Sequence, residues 1–223
     1  MARVPCQKGT SVLPVILALK QRPDAKRLVP EPLWKYFDEH LVVGGWYPER
    51  DYWVLIEALV KSIDPKLVGG DVWRYFAKFS AQTDIGGGGK KAAGSAGSAG
   101  SAGSQGVYRN FAAIDAHDAE AFFRRVIRLW SQYHDTGAMQ IRGGSAISNS
   151  LFMRLVGFHI PIEGFVRLQG YYVEEFGRVV GLGLESRVKR STASGDLLCE
   201  WEILMERTPR SEAYIAGLPP VQV

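Results

Sequence analysis

The sequence predicts an α+β fold in which N-terminal helices pack on an antiparallel, roughly four-stranded sheet with one helix inserted into it. Three observations lead there. Apolar residues recur at helical spacing across most of residues 10–134. Two late segments, 182–190 and 197–206, alternate apolar and polar residues one by one. Helical segments come first and strands afterwards, without the repeating strand–helix–strand order of a parallel sheet.

Taken in order, Thr10 and Ser11 are placed to cap a helix reaching Arg22, with Pro14 in its first turn, where a missing N–H costs little. Pro23 ends it, and a short helix follows Pro32 through Trp34, Tyr36 and Phe37. Residues 49–63 carry Tyr52, Leu55, Ile56, Leu59, Val60 and Ile63 on one face, with Glu49, Arg50, Glu57 and Lys61 assigned to the other. A helix after Gly70 presents Val72, Trp73, Phe76 and Phe79. Tyr108 and Phe111 fall on a short helix over 107–114. Asp115 is the expected cap of a helix ending near His134, with Phe123, Val126, Ile127, Trp130 and Tyr133 inward and Arg124, Arg125 and Arg128 outward. Residues 138–142 and 150–158 read as strands, and Glu163 to Phe176 as a helix with Phe165, Leu168, Tyr172, Val173 and Phe176 inward.

The last two segments form a hairpin. Leu182, Leu184, Ser186 and Val188 face in from one strand, and Leu197, Cys199, Trp201, Ile203 and Met205 from the other. A turn over Ser191–Asp196 predicts Val188 opposite Cys199, Ser186 opposite Trp201 and Leu184 opposite Ile203. That register also sets Arg187 against Glu200 and Glu185 against Glu202, one favourable pair and one like-charge contact.

Apolar residues make up 46% of the 223 and aromatics 11%, enough for a large core and too much for a disordered chain. A net charge of +4, spread without a basic run, points to a mixed solvated surface and away from nucleic acid. The longest apolar run, Val12 to Leu19, is too short for a membrane span. Cys6 and Cys199 show no paired spacing, as in a reduced cytoplasmic protein.

Motifs for catalysis are sparse. Gly86–Lys90 resembles a phosphate loop only superficially: Asp84 stands where its first glycine belongs, Lys91 replaces its hydroxyl, and a helix precedes it. His40, His117, His134 and His159 include no pair at helical metal-binding spacing. His134 beside Asp135 reads as a helix C-terminal residue answering the dipole rather than an acid–base couple. Glu200, Glu202 and Glu206 share one strand face, and Arg187 and Lys189 opposite make that face a solvated ion-pair ladder. Cys199, between Leu197 and Trp201, is a buried and inert thiol. No catalytic residue, metal site or cofactor is assigned.

Several stretches together resemble the 4-vinyl reductase-like (V4R) domains of bacteria, including uncharacterised sensor-like proteins of myxobacteria. They are Gly45-Trp46-Tyr47-Pro48, Gly106-Val107-Tyr108-Arg109, Leu129-Trp130 with Tyr133-His134-Asp135-Thr136-Gly137, and Ser194 through Trp201. The resemblance spans roughly residues 9–206 and implies a fold shared with haem-NO-binding sensors and Bet3-type tethering subunits, frequent dimerisation, and an internal apolar space for a small ligand. It departs from the family at Arg190–Thr192, where a second cysteine often stands, and the Tyr-x-Ser-x-Arg clamp and axial histidine of haem sensors are not visible. The Bet3 likeness offers an acylated cysteine as the alternative role for Cys199.

The expectation is therefore one domain over 1–206 with a tail at 207–223: a cytoplasmic, homodimeric, non-catalytic module that senses a small apolar or aromatic ligand or engages a signalling partner. The alternatives are a scaffold with a filled core, or an accessory protein in tetrapyrrole metabolism. Pocket candidates are Trp46, Trp73, Trp130, Tyr133, Tyr172, Cys199 and Trp201, whose Tyr hydroxyls and Trp N–H groups would orient the ligand. Residues 86–106 contain a strict Gly-Ser-Ala repeat with the regularity of an engineered flexible linker, set inside the domain. Shortening it to a few residues should leave the thermal midpoint nearly unchanged, because each halving of a loop changes its closure cost by only about 0.6 kcal/mol. A fall of more than about 5 °C, beyond what ~1 kcal/mol produces in a domain of this size, would overturn that expectation.

Overall fold

A computed structural model describes residues 4–85, 111 and 114–221. The linker-like stretch at 86–106 and the start of the helix expected over 107–114 lie outside them. Strand β1 (Cys6–Lys8) leads into helix α1 (Gly9–Lys20). Two single-turn helices, α2 (Ala25–Leu28) and α3 (Lys35–Asp38), follow, then strand β2 (Trp46–Pro48), helix α4 (Glu49–Lys61) and helix α5 (Val72–Ile85). Helix α6 (Ala119–Tyr133), strands β3 (Ala138–Gly143) and β4 (Ser150–Val156), helix α7 (Glu163–Val179), strands β5 (Leu184–Arg190) and β6 (Leu198–Met205), and helix α8 (Pro209–Gly217) complete the described chain. β1 and β2 pair antiparallel, and the larger sheet runs β3-β4-β6-β5, antiparallel throughout. The fold is α+β.

Local boundaries differ from the sequence reading where backbone groups found other partners. α1 starts at Gly9, so Thr10 and Ser11 lie inside its first turn instead of capping it. Asp118, not Asp115, caps α6 by accepting the Ala121 N–H at 2.8 Å. Phe122 is fully buried on α6, whereas Ile127 is 38% exposed. The expected tail contains α8, whose Thr208 and Ser211 form a reciprocal capping box and whose Tyr214 stacks on Phe123.

The β5–β6 register is displaced by two residues from the expected one. Val188 stands opposite Trp201, Ser186 opposite Ile203 and Leu184 opposite Met205. A bulge between Val188 and Arg190 and a wide connection cause the shift. In that connection Thr192–Ser194 form a 3-10 turn, and Asp196 accepts the Ser191 N–H at 2.8 Å. A shift of two preserves faces, so Cys199, Trp201, Ile203 and Met205 still point inward. It also sets Arg187 opposite Glu202 and so avoids the like-charge contact. Val188 and Leu197 are exposed, because β5 is an edge strand and Leu197 precedes β6. The outer face of the sheet is not a uniformly solvated ladder: Glu200 is buried and ion-paired to Arg154 of β4.

A polar clasp joins α5, α7 and β5. Arg74 Nη1 lies 2.7 Å from Glu174 Oε2, and Glu174 Oε1 accepts the Ser186 N–H and hydroxyl at 2.8 Å each. Tyr171 donates its hydroxyl to Asp71 at 2.6 Å, and the Arg74 guanidinium covers the Tyr171 ring. Burial alone would raise the Asp71 pKa, but the bonds from Tyr171 and the Arg74 N–H, with Arg167 nearby, hold it below the usual aspartate range. A depressed carboxyl stabilises the fold above its unfolded pKa of ~4 and loses that contribution as pH falls through its folded value. Asp71→Asn should therefore flatten this part of the acid limb in urea-unfolding curves below about pH 4, while leaving the neutral-to-acid trend above it intact.

Candidate functional site

The site is built around the first residue of α4. Glu49 follows Pro48 directly, and its N–H donates to the Pro5 carbonyl at 2.8 Å. Its side chain turns into the protein and is completely buried, where the sequence reading had placed it on the polar face. Oε1 accepts the Trp53 indole N–H at 2.8 Å, and Oε2 lies 3.0 Å from His134 Nδ1. Its place in the first turn adds favourable interaction with the helix dipole. A buried carboxylate demands such partners, and these come from α4 and from the end of α6.

His134 caps α6, as its position in the sequence suggested, but its side-chain partner is Glu49 rather than Asp135. The imidazole stacks on Trp130 with centroids 3.6 Å apart and rings nearly parallel. Asp135 instead accepts the Cys6 N–H at 2.6 Å, and Gln7 forms a bridge to the His134 backbone. β1 is thereby fastened to the end of α6. Trp130 donates its N–H to Thr136 O at 3.1 Å across a turn in which Gly137 has φ +75°. A Cβ at Gly137 would stand 2.9 Å from Phe158 Cβ, so the tight turn requires glycine.

Next to this polar cluster is a partly open cavity of about 260 Å³ bordered by α1, α4, α5, α6 and α7, with Met139 of β3 at one side. Its apolar wall includes Val15, Trp53, Phe76, Phe111, Val126 and Val173. Gln7, Thr10, Ser11 and His134 give it one polar end. Gln7 is 4% exposed, and its Oε1 has no hydrogen-bond partner among the described residues; the same holds for Thr10 Oγ1.

Of the expected pocket residues, Trp130, Tyr133 and Tyr172 line the cavity. The other four do not. Trp46 is 47% exposed on β2. Trp73 packs over Gly164, at the α5–α7 contact. Trp201 is fully buried against α7 and donates to Val166 O at 2.9 Å, and Cys199 is fully buried, 3.4 Å from the Thr192 hydroxyl. Fully buried, this thiol offers no surface for acylation in the folded chain. The Trp130 and Trp201 N–H groups are both committed within the protein, so they do not supply the ligand-orienting contacts expected of them.

Gln7, Thr10 and Glu49 were the residues that sequence reasoning missed. The only signal for Glu49 was an acid at the first position of a helix, which usually means a solvated dipole contact. Among the described residues the His134 ring hydrogen-bonds Glu49 alone, so no hydroxyl or thiol is coupled to it as a nucleophile. No group of three or more His, Cys, Asp and Glu suited to a metal occurs among them.

The sequence matches no family model and no curated protein. Similar solved structures are H-NOX proteins. One from Cs, carrying 4-cyano-L-phenylalanine at site 5, is 10% identical over 91% of this chain and 98% of its own, with a TM-score of 0.47. An Fe(II) unliganded H-NOX protein from K. algicida is 11% identical over 91% and 98%, with a TM-score of 0.46. An H-NOX protein from S. oneidensis in the Fe(II)NO ligation state is 13% identical over 90% and 99%, with a TM-score of 0.42. These comparisons do not show the V4R family, and the resemblance to it rests on sequence motifs alone.

Glu49→Ala should cost about 3–5 kcal/mol in chemical denaturation, because it leaves the Trp53 and His134 donors buried without their acceptor. Glu49→Gln, which keeps one carbonyl oxygen, should cost distinctly less. Equal and small losses for both would show that the carboxylate is not holding α4 to α6.

Proposed function

We propose that this chain is a non-catalytic binding module that takes a small, uncharged, largely apolar or aromatic molecule into the cavity between α1 and α4–α7. The observation that carries the reading is the cavity itself. Its volume is near the lower end of ligand pockets, ~300–1,000 Å³, and exceeds the ~150 Å³ that accommodates benzene. A one- or two-ring molecule is the matching size.

Some of the similar solved structures contain iron, and one study among them concerns haem distortion. The described lining of this cavity contains neither Lys nor Arg to meet the two carboxylates of haem. Its one imidazole is held by Glu49 through Nδ1 and covered on one face by Trp130. These residues fit a neutral ligand better than a dianionic macrocycle.

Occupancy would draw the walls together and so bias the shape presented to a signalling partner or a second copy of the chain. No helix among the described residues is long and apolar enough to cross a membrane. Native mass spectrometry of protein purified from cells should show a retained small-molecule mass, and a panel of one- and two-ring aromatics should raise the thermal midpoint. Val173→Phe, which projects into the cavity, should abolish both effects while keeping the circular dichroism spectrum. A ligand-free mass together with no thermal shift from any compound would favour a scaffold with no binding role.

A further inference from the structure

The two edges of the larger sheet differ. β5 carries Arg187, Lys189 and Arg190 and a bulge between Val188 and Arg190, devices that keep another strand from pairing. β3, at the opposite edge, has neither a bulge nor a lysine, and pairs with β4 in unbroken register from Ala138 to Gly143. The direction of its backbone groups follows from one bond. Gly143 donates its N–H to Pro219 O at 2.8 Å, away from β4, so Ile141 and Met139, two and four residues back, point their N–H and C=O groups the same way. The Ile141 C=O accepts Arg142 Nη1 at 3.0 Å, in keeping with that direction. The Met139 N–H and C=O and the Ile141 N–H have no hydrogen-bond partner among the described residues. Beside them runs a partly open groove of about 360 Å³, with α6 as one wall and the end of α8 closing it. Residues 139–142 line it in succession, although their side chains alternate between the two faces of the sheet, so it follows the strand's edge. Arg124 and Arg142 line it too, and its one acid among the described residues, Glu120, is ion-paired to Arg124.

We infer that the β3 edge is a docking seat for an extended peptide segment of a partner protein in which apolar and acidic residues alternate. The segment adds a fifth strand, pairing its backbone with Met139 and Ile141. Its apolar side chains face Ile127 of α6, and the acidic ones between them face Arg142 on the other side of the strand. An acidic group there draws Arg142 away from the Ile141 C=O and frees that carbonyl for the incoming strand. The edge already holds extended backbone at one end, where Pro220 pairs in parallel with Gly143. A second copy presents the same recessed edge beside its own α6 and α8, so two such edges approach less readily than one free segment does. Met139 lines both this groove and the cavity, but the seat does not depend on a ligand in the cavity.

Five-residue synthetic peptides that alternate valine with glutamate, glutamine or lysine test this on the full chain, by fluorescence anisotropy and amide hydrogen exchange. The glutamate peptide should bind about ten-fold more tightly than the glutamine peptide, and should slow exchange at the Met139 and Ile141 amides about ten-fold or more. N-methylating one alternate set of its residues should weaken binding about ten-fold or more, and methylating the other set should leave it unchanged, because only one set turns its N–H groups to β3. Arg142→Met should remove the preference for glutamate while keeping the glutamine peptide bound. Arg124→Glu, at an exposed side chain, should weaken the glutamate peptide about ten-fold and reports independently if Arg142→Met folds poorly. Binding of no peptide, or binding indifferent to N-methylation of either set, would overturn strand addition. Equal affinity for the glutamate and lysine peptides would overturn the acidic preference. Protection of the two amides without peptide that grows with protein concentration, together with a dimer in sedimentation, would overturn the peptide partner and assign the edge to a second copy.

Discussion

The helical layer depends on one buried carboxylate. Glu49 is removed from water at the start of α4, and a charge in that position must be matched by donors or the fold could not tolerate it. The Trp53 indole supplies one from the same helix, and His134 supplies the other from the end of α6. That second bond fixes where α6 ends relative to α4. From it follow the His134–Trp130 stack, the attachment of β1 beside Asp135, and the place of Gln7. The polar end of the cavity is thus a consequence of satisfying one charge.

The two layers of the protein are packed differently. Against the sheet, α7 approaches so closely that a Cβ at Gly170 would stand 2.6 Å from the Ser186 hydroxyl, and Trp201 is enclosed with its N–H used. On the other side, large rings meet edge to face: Trp53 on Phe165 at 4.9 Å, and Trp130 on Phe158 at 5.1 Å. Rings in such arrangements gain from their quadrupoles. The cavity lies where α1, α4 and α5 close over α6 and α7, away from the densely packed sheet.

Much of this was legible in the sequence because it is periodic. The helices at 49–61, 119–133 and 163–179 follow from spacing of 3.6, and β5, β6 and the inward face of β6 from spacing of 2. Trp130, Tyr133 and Tyr172 could be marked for a pocket because each falls on the inward stripe of a long helix. The same rule misplaced Trp201 and Trp73, since an inward stripe does not say which neighbour it meets. Gln7 and Thr10 gave no signal: a polar residue in a three-residue strand or a first helical turn looks like surface until another element covers it.

Local sequence, then, determined the α+β class, the order of elements and which face of each looks inward, because hydrophobic burial acts through periodicity along the chain. Tertiary structure alone decided the β5–β6 register, through a bulge and a long connection that alternation cannot count. It also decided that the carboxylate of Glu49 belongs to the core and not the surface, because its partner is 85 residues away along the chain. Periodicity tells a side chain to leave water; only the assembled neighbours determine whether what it meets there is a ring, a donor or a void.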